Sequence, residues 1–212
     1  MNRPEVAIFC AGSLGKELVD FLKSDGYSDI VFIDDVIGEK TYYGFPVYRF
    51  DEFCNRYIDC EILVATGEPI YREMIAKKID LAGGKLGVYC SSRAILGSES
   101  VLKPGAIVLP YAYISVGVEI GYNSIVHVGA KVEEGCKIGK NTFVSLGAFI
   151  GAKTCVGDLC FIGPNVTIRD HLLIDDKCII GMASCVTAST ASGVYIGNPA
   201  RKISEQYGLV FK

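Results

Sequence analysis

Val132-Glu133-Glu134-Gly135-Cys136-Lys137, Ile138-Gly139-Lys140-Asn141-Thr142-Phe143, Val144-Ser145-Leu146-Gly147-Ala148-Phe149 and Ile150-Gly151-Ala152-Lys153-Thr154-Cys155 are successive blocks of six, each opening on an aliphatic residue. The six-residue step runs from Leu96 to Val186 through sixteen positions, every one Leu, Ile or Val. An α-helix turns every 3.6 residues and would scatter these positions over all its faces. A flat strand repeats every two residues and would not single out every sixth. The period therefore predicts a coil: one short strand and one corner per hexad, three hexads per triangular turn, turns stacked along an axis.

The neighbours of the aliphatic residue repeat too. Glycine often follows it, as at Gly97, Gly121, Gly139, Gly151, Gly157, Gly163 and Gly181. Glycine there is expected to relieve backbone strain at the corner. Four places after the aliphatic residue stands a small side chain, among them Cys136, Thr142, Ala148, Thr154, Cys160, Cys178 and Ser184. Cys136, Cys160 and Cys178 thus read as packing residues rather than nucleophiles, while Cys155 and Cys185 fall one place later and are less decided.

Composition excludes several classes. Half the residues are hydrophobic and mean hydropathy is +0.33, yet no uninterrupted apolar stretch reaches the eighteen or so residues of a spanning helix. The N-terminal apolar run is too short and too early broken for a signal peptide. A net charge of −3 without a Lys/Arg block argues against nucleic acid or an anionic membrane as partner. The nine cysteines lack C-x-x-C pairs and nearby His in metal spacing, so neither a disulfide framework nor a metal site is expected. Reduced thiols fit a cytoplasmic protein.

The first part alternates strands and helices. Val6–Phe9 reads as a buried strand, Cys10-Ala11-Gly12-Ser13-Leu14-Gly15 as a turn into an amphipathic helix, Asp29–Asp35 as a second strand ending in two carboxylates. Ile62–Gly67 reads as a further strand, followed by a helix from about Pro69 to Leu81. This order predicts a Rossmann-like parallel sheet. The turn has only two glycines of the G-x-G-x-x-G pattern, so phosphate binding there and a packing turn are both open, as are ligand and loop roles for Asp34 and Asp35. The expected division is a Rossmann-like unit over 1–90 and a coil domain with a C-terminal cap over 91–212.

This combination resembles the bacterial sugar acyltransferases of the left-handed β-helix class, within them the sialic-acid O-acetyltransferase and nucleotide-aminosugar N-acetyltransferase group. The resemblance rests on Ile8–Gly15, Phe32–Asp35, Ala65–Gly67, the repeat, and Gly197-Asn198-Pro199-Ala200-Arg201-Lys202, similar to the V-P-A-K segment that closes many such helices. It implies a homotrimer with acetyl-CoA as cosubstrate between parallel coils and the nucleotide on the N-terminal domain. Nucleotide contacts are implied at Gly12, Ser13, Leu14, Asp34, Asp35 and Gly67. Acyl-donor contacts are implied at Ser145, Gly151, Ala152, Gly163 and Gly181, where corner amides would bind the thioester carbonyl.

The pattern breaks at the chemistry. The family's catalytic His falls on Glu134, its polar partner on Gly135, and a second His on Phe143; Cys10 and Ser13 replace family glycines. Three readings follow. Glu134 acts as base or as anchor for an ammonium, one of the two remaining histidines, His127 or His171, acts instead, or a neutral amine attacks without an enzymic base. A hydroxyl acceptor would need a base, so the missing His favours an amine. The leading expectation is acetyl-CoA-dependent N-acetylation of a nucleotide-linked amino sugar in surface-glycan biosynthesis. The rivals are sugar or sialic-acid O-acetylation with His127 or His171 as base, and a catalytically impaired trimeric scaffold.

Overall fold

The computed structural model of the protein describes residues 4–205. The outermost parts of the two expected domains, 1–3 and 206–212, lie outside the described residues.

Four-residue apolar runs form the central strands β1 (Val6–Phe9), β2 (Ile30–Ile33) and, one residue earlier than the run suggests, β5 (Glu61–Val64). Together with β3 (Thr41–Tyr42), β4 (Phe45–Tyr48) and β6 (Lys85–Leu86) they make a sheet of order β3-β4-β2-β1-β5-β6. All pairs are parallel except the β3–β4 hairpin. Helices α1 (Ser13–Ser24), α2 (Phe50–Tyr57) and α3 (Pro69–Leu81) cover it. Leu18, Val19 and Leu22 of α1 pack on one face, and Phe50, Phe53, Ile75 and Ile79 of α2 and α3 on the other. The sequence reading holds for the Rossmann-like sheet, α1 and α3; α2, β6 and the hairpin are additions.

From β7 (Tyr89–Cys90) onward the chain coils through three parallel faces. Face one carries the two-residue strands from β7 through Ile107–Val108, Ile125–Val126, Phe143–Val144 and Phe161–Ile162 to Cys178–Ile180. Face two begins at Ile95–Leu96 and ends at Cys185–Val186; face three runs from Val101–Leu102 to Leu173–Ile174. Partners in each ladder are eighteen residues apart, for example Val126↔Val144 and Val132↔Ile150, three hexads per turn. Aliphatic residues from Val108 to Val186 fill the interior, whereas Leu96 in the first coil is 45% exposed because no coil covers it. The far end is closed by Gly193–Ile196, which rejoins face one, and Arg201–Ser204, which pairs antiparallel to it.

Two details of the corner differ from expectation. The glycine after each aliphatic residue is not the strained residue; its lack of a side chain lets the next coil approach. A Cβ on Gly139 would stand 2.4 Å from the Gly157 carbonyl carbon, and one on Gly121 would stand 2.5 Å from the Gly139 oxygen. The left-handed backbone falls two residues later, at Asn141 (φ +53°), Lys153 (+56°) and Leu159 (+58°). The small-residue slot is buried as expected, and it also bonds across coils: Thr142 Oγ1 donates to Gly157 O at 2.8 Å and Cys136 Sγ to Gly151 O at 3.1 Å.

Candidate active site

The sheet reverses its order of build at β1, with β2 on one side and β5 on the other, and ligands of open α/β sheets bind beyond the strand ends at such a point. Here the Cys10–Gly15 turn follows β1, Asp34 and Asp35 follow β2, and Gly67 follows β5. Cys10 has φ +81°, and Gly15 has no room for a side chain, since its Cβ would lie 2.4 Å from Cys10 O. Gly12 is different. It caps α1 without a side-chain bond, is exposed, and has nothing within 4 Å of a would-be Cβ. The first-turn N–H groups of α1 at Ser13 and Leu14 thus have no side-chain cap and open approach.

A cleft of about 250 Å³ adjoins this turn, lined by Phe9, Cys10, Asp34, Asp35, Tyr71 and Lys78 among others. The two aspartates differ. Asp34 braces the turn, accepting from Ala11 N–H at 2.9 Å with Oδ2 and from Val36 and Ile37 N–H with Oδ1. Asp35 accepts from Phe50 N–H at 2.9 Å and pairs with Lys78 Nζ at 2.6 Å. Burial raises its pKa, but the Lys78 and Phe50 bonds outweigh that and hold it below the usual carboxylate value.

Arg72 of α3 is fully buried, and among the described residues no carboxylate pairs with it. One Nη donates to the carbonyls of Val64 and Thr66 at 2.7 and 2.9 Å, just before Gly67. Gly67 itself rests on Phe143, a Cβ there standing 3.4 Å from the ring. Phe143 stacks on Phe161 at 5.6 Å and meets His127 edge-on at 5.7 Å, so face one of the coil carries the floor of the Gly67 loop.

The expected acyl-donor residues separate into two columns. Ser145, Gly163 and Gly181 stand eighteen residues apart on the corner after face one; Gly151 and Ala152 stand on the corner after face two. Their amides are not the donors anticipated. The N–H groups of Ser145, Gly151, Gly163 and Gly181 are spent in the coil ladder, on the carbonyls of Ile162, Ile168, Ile180 and Tyr195. Among the described residues Ala152 alone of the five keeps its N–H outside the ladder. It borders a groove of about 510 Å³ along face two, with Glu133, Phe149, Gly151, Thr167 and Cys185 in its lining. This largely apolar channel with small residues at its rim fits a pantetheine arm. Glu134 is exposed in the same corner column, one coil before Ala152 and thus about 4.8 Å along the axis.

The histidines lie apart. His171 is on the Glu134 corner with its side chain 63% exposed, Nε2 3.8 Å from Asp170. His127 is on the other corner, buried under α1, where burial pulls its pKa down to about 4. A buried imidazole with so low a pKa is a poor base near neutral pH, and the structure does not bring it to Glu134. No group of three or more His, Cys, Asp or Glu among the described residues is arranged to hold a metal ion, and no helix among them is long and apolar enough to cross a membrane.

The three-faced coil that follows the α/β unit gives the chain the fold of the left-handed β-helix acetyltransferases. Residues 5–79 match the PglD N-terminal domain family. A GDP-perosamine N-acetyltransferase of Escherichia coli O157:H7 is 30% identical over 121 residues, 54% of this chain and 55% of that protein, so the chain spans about half the length of this curated relative. The acetyltransferase domain of PglB from Neisseria gonorrhoeae FA1090 is 26% identical, with TM-score 0.70, covering 95% of this chain and all of that one. A histidine-to-alanine mutant of GDP-perosamine N-acetyl transferase from Caulobacter crescentus, in complex with CoA and GDP-perosamine, is 22% identical and shares the fold at TM-score 0.81, covering 94% of this chain and 96% of that one.

Proposed function

We propose that the protein transfers an acetyl group from acetyl-CoA to the amine of a nucleotide-linked amino sugar, in surface-glycan biosynthesis and in the cytoplasm. The carrying observation is that one chain joins an uncapped helix start beside a cleft at the sheet's switch point to a groove with a free Ala152 N–H. The diphosphate would lie on the Gly12–Leu14 amides, with the buried charge of Arg72 behind them, and the nucleoside along Asp34, Asp35 and Gly67. Relatives whose names and complexes concern CoA and GDP-perosamine support the same reading.

The active unit is a homotrimer. Ser145, Gly163 and Gly181 sit on one edge of face two, Gly151 and Ala152 on the other. They line a common groove only where the edge of one copy meets the opposite edge of the next. The functional division falls near residue 90, with 1–90 holding the nucleotide and 91–212 the acyl donor. Ala152 N–H stabilises the developing oxyanion, and Glu134, at the same corner, anchors the acceptor's ammonium. O-acetylation through His127 is disfavoured by that residue's burial.

The test is CoA release from acetyl-CoA with a panel of UDP-, dTDP- and GDP-linked 4-amino sugars, beside their hydroxyl analogues. Turnover of an amine is expected. Turnover of hydroxyl analogues alone would reverse the assignment, and absence of acetyl-CoA binding by calorimetry would indicate the scaffold.

A further inference from the structure

His127 opens the corner after face one, one coil before Ser145, so His127, Ser145, Gly163 and Gly181 make one column at eighteen-residue steps. Three members of that column are assigned above to the acyl donor. Glu17 stands on α1, three residues beyond Leu14, the last turn residue assigned to the nucleotide. Between these two sets the chain places one contact: His127 Nε2 lies 3.4 Å from Glu17 Oε2.

The ring's state is fixed by the backbone. Val128 N–H donates to His127 Nδ1 at 2.9 Å, so the neutral imidazole carries its proton on Nε2, toward the carboxylate. The His127 side chain is 5% exposed and that of Glu17 39%, so Glu17 has one side on the ring and one open to an incoming ligand. Neighbouring charges on α1 are engaged elsewhere: Lys16 lies over the Tyr42 and Tyr43 rings, and Asp20 accepts from the Tyr43 hydroxyl.

We propose that Glu17 is the proton acceptor for the sugar amine, with His127 as its positioning residue. The inference rests on the N-acetyltransferase reading. The ammonium held at Glu134 first loses a proton to solvent, and its nitrogen lone pair then closes on the thioester carbonyl carbon. Glu17 takes the proton that the nitrogen sheds. The carbon–sulfur bond then breaks, and the departing sulfur takes the proton from the Glu17 carboxyl, leaving an amide, a free thiol and the carboxylate restored. Burial raises the Glu17 pKa, which moves a carboxylate toward the useful range for a base near neutral pH. In the proposed trimer this edge of one copy faces the Ala152 edge of the next, which sets the base across the groove from the oxyanion donor. The family's base position is Glu134; this arrangement supplies the missing function from the N-terminal domain.

The experiment uses the full chain with acetyl-CoA and whichever nucleotide-linked 4-amino sugar the wild-type protein turns over. Glu17→Gln is expected to lower kcat by about 100-fold or more, with KM for both substrates within about threefold and acetyl-CoA binding by calorimetry unchanged; Glu17→Asp recovers part of the rate. His127→Gln, which keeps a donor near Nε2, holds the acid limb of kcat/KM in place. His127→Phe, which removes the N–H lying 3.4 Å from the Glu17 carboxylate, moves that limb to higher pH, because a positive dipole end beside a carboxylate favours the ionised form. In ¹⁵N spectra of the unliganded protein at pH 7, His127 shows the Nε2-protonated tautomer, and its Nε2 resonance moves in Glu17→Gln. A Glu17→Gln kcat within threefold of wild type, or an acid limb unmoved in His127→Phe, overturns the proposal. Failure of the wild-type protein to turn over any amine overturns the N-acetyltransferase reading instead.

Discussion

Arg72 and Asn123 lock the α/β unit to the coil. Arg72 Nε donates to Asn123 O and an Nη to Asn123 Oδ1, both at 2.8 Å, while Asn123 Nδ2 donates to Arg72 O at 3.0 Å and to Asn141 Oδ1 at 2.8 Å. Burial lowers the Arg72 pKa to about 9, still above neutral, so a charged guanidinium is held entirely by carbonyl dipoles. Arg72→Met would leave the Val64, Thr66 and Asn123 acceptors buried without their donor. We expect it to cost about 3–5 kcal/mol, read as a lower denaturation midpoint in urea. A midpoint equal to wild type would mean that these carbonyls find other partners.

The corner residues make a paired test. Gly139→Ala drives a methyl group into the Gly157 carbonyl and should destabilise by about 1–3 kcal/mol. Lys153→Gly, at an exposed left-handed position, removes a steric cost of about 1–2 kcal/mol while adding chain entropy to the unfolded state, so its net effect should be small or stabilising. Thermal unfolding of both variants distinguishes the stacking role of the first glycine from a conformational one, which would reverse their order.

That pair also marks what could be read from the residues alone. The coil was legible because one aliphatic residue in six has a single geometric solution, and a register error would bury a charge such as Lys137. The corner was half legible: periodicity finds the glycine, but only the next coil, eighteen residues away, shows whether it serves φ or contact. The same distance hid the fate of the Ser145 and Gly163 amides. In the first part, α2 escaped notice because eight residues with two buried aromatics, Phe50 and Phe53, give too short a period to separate from a loop. Glu17 had no signal at all, since its partner His127 stands 110 positions further along the chain.

Phe143 occupies a position at which the resemblance implies a His, and the structure gives it a packing role between Phe161, His127 and Gly67. Phe143→Ala should cost about 3–5 kcal/mol in stability and weaken nucleotide binding, because the Gly67 loop loses its floor. Phe143→Leu should restore most of both. Denaturation and calorimetric titration with the nucleotide-sugar that wild type binds would check this; equal nucleotide affinity in the Ala variant would separate the loop from the ring.

Acid stability should report His127. Its folded pKa of about 4 lies below the unfolded value near 6.5, because burial disfavours the charged ring. Above pH 6.5 neither state binds the proton and the residue is neutral in its effect. As pH falls from about 6.5 to 4 the unfolded chain takes up a proton that the folded one refuses, and stability declines by up to about 3 kcal/mol. Glu17, whose folded pKa is raised, acts in the opposite sense: its contribution is present below its unfolded value and is lost as pH rises through the folded one. The carboxylates with lowered pKa, Glu5, Asp25 and Asp35, lose their contributions only as pH falls below their ordinary values of about 4. The His127 term is therefore isolated by difference: the unfolding free energy of wild type minus that of His127→Gln should fall between pH 6.5 and 4 and be flat above. A difference that stays flat throughout would mean that the ring protonates in the folded protein as readily as in the unfolded chain, with Glu17 accepting the resulting charge.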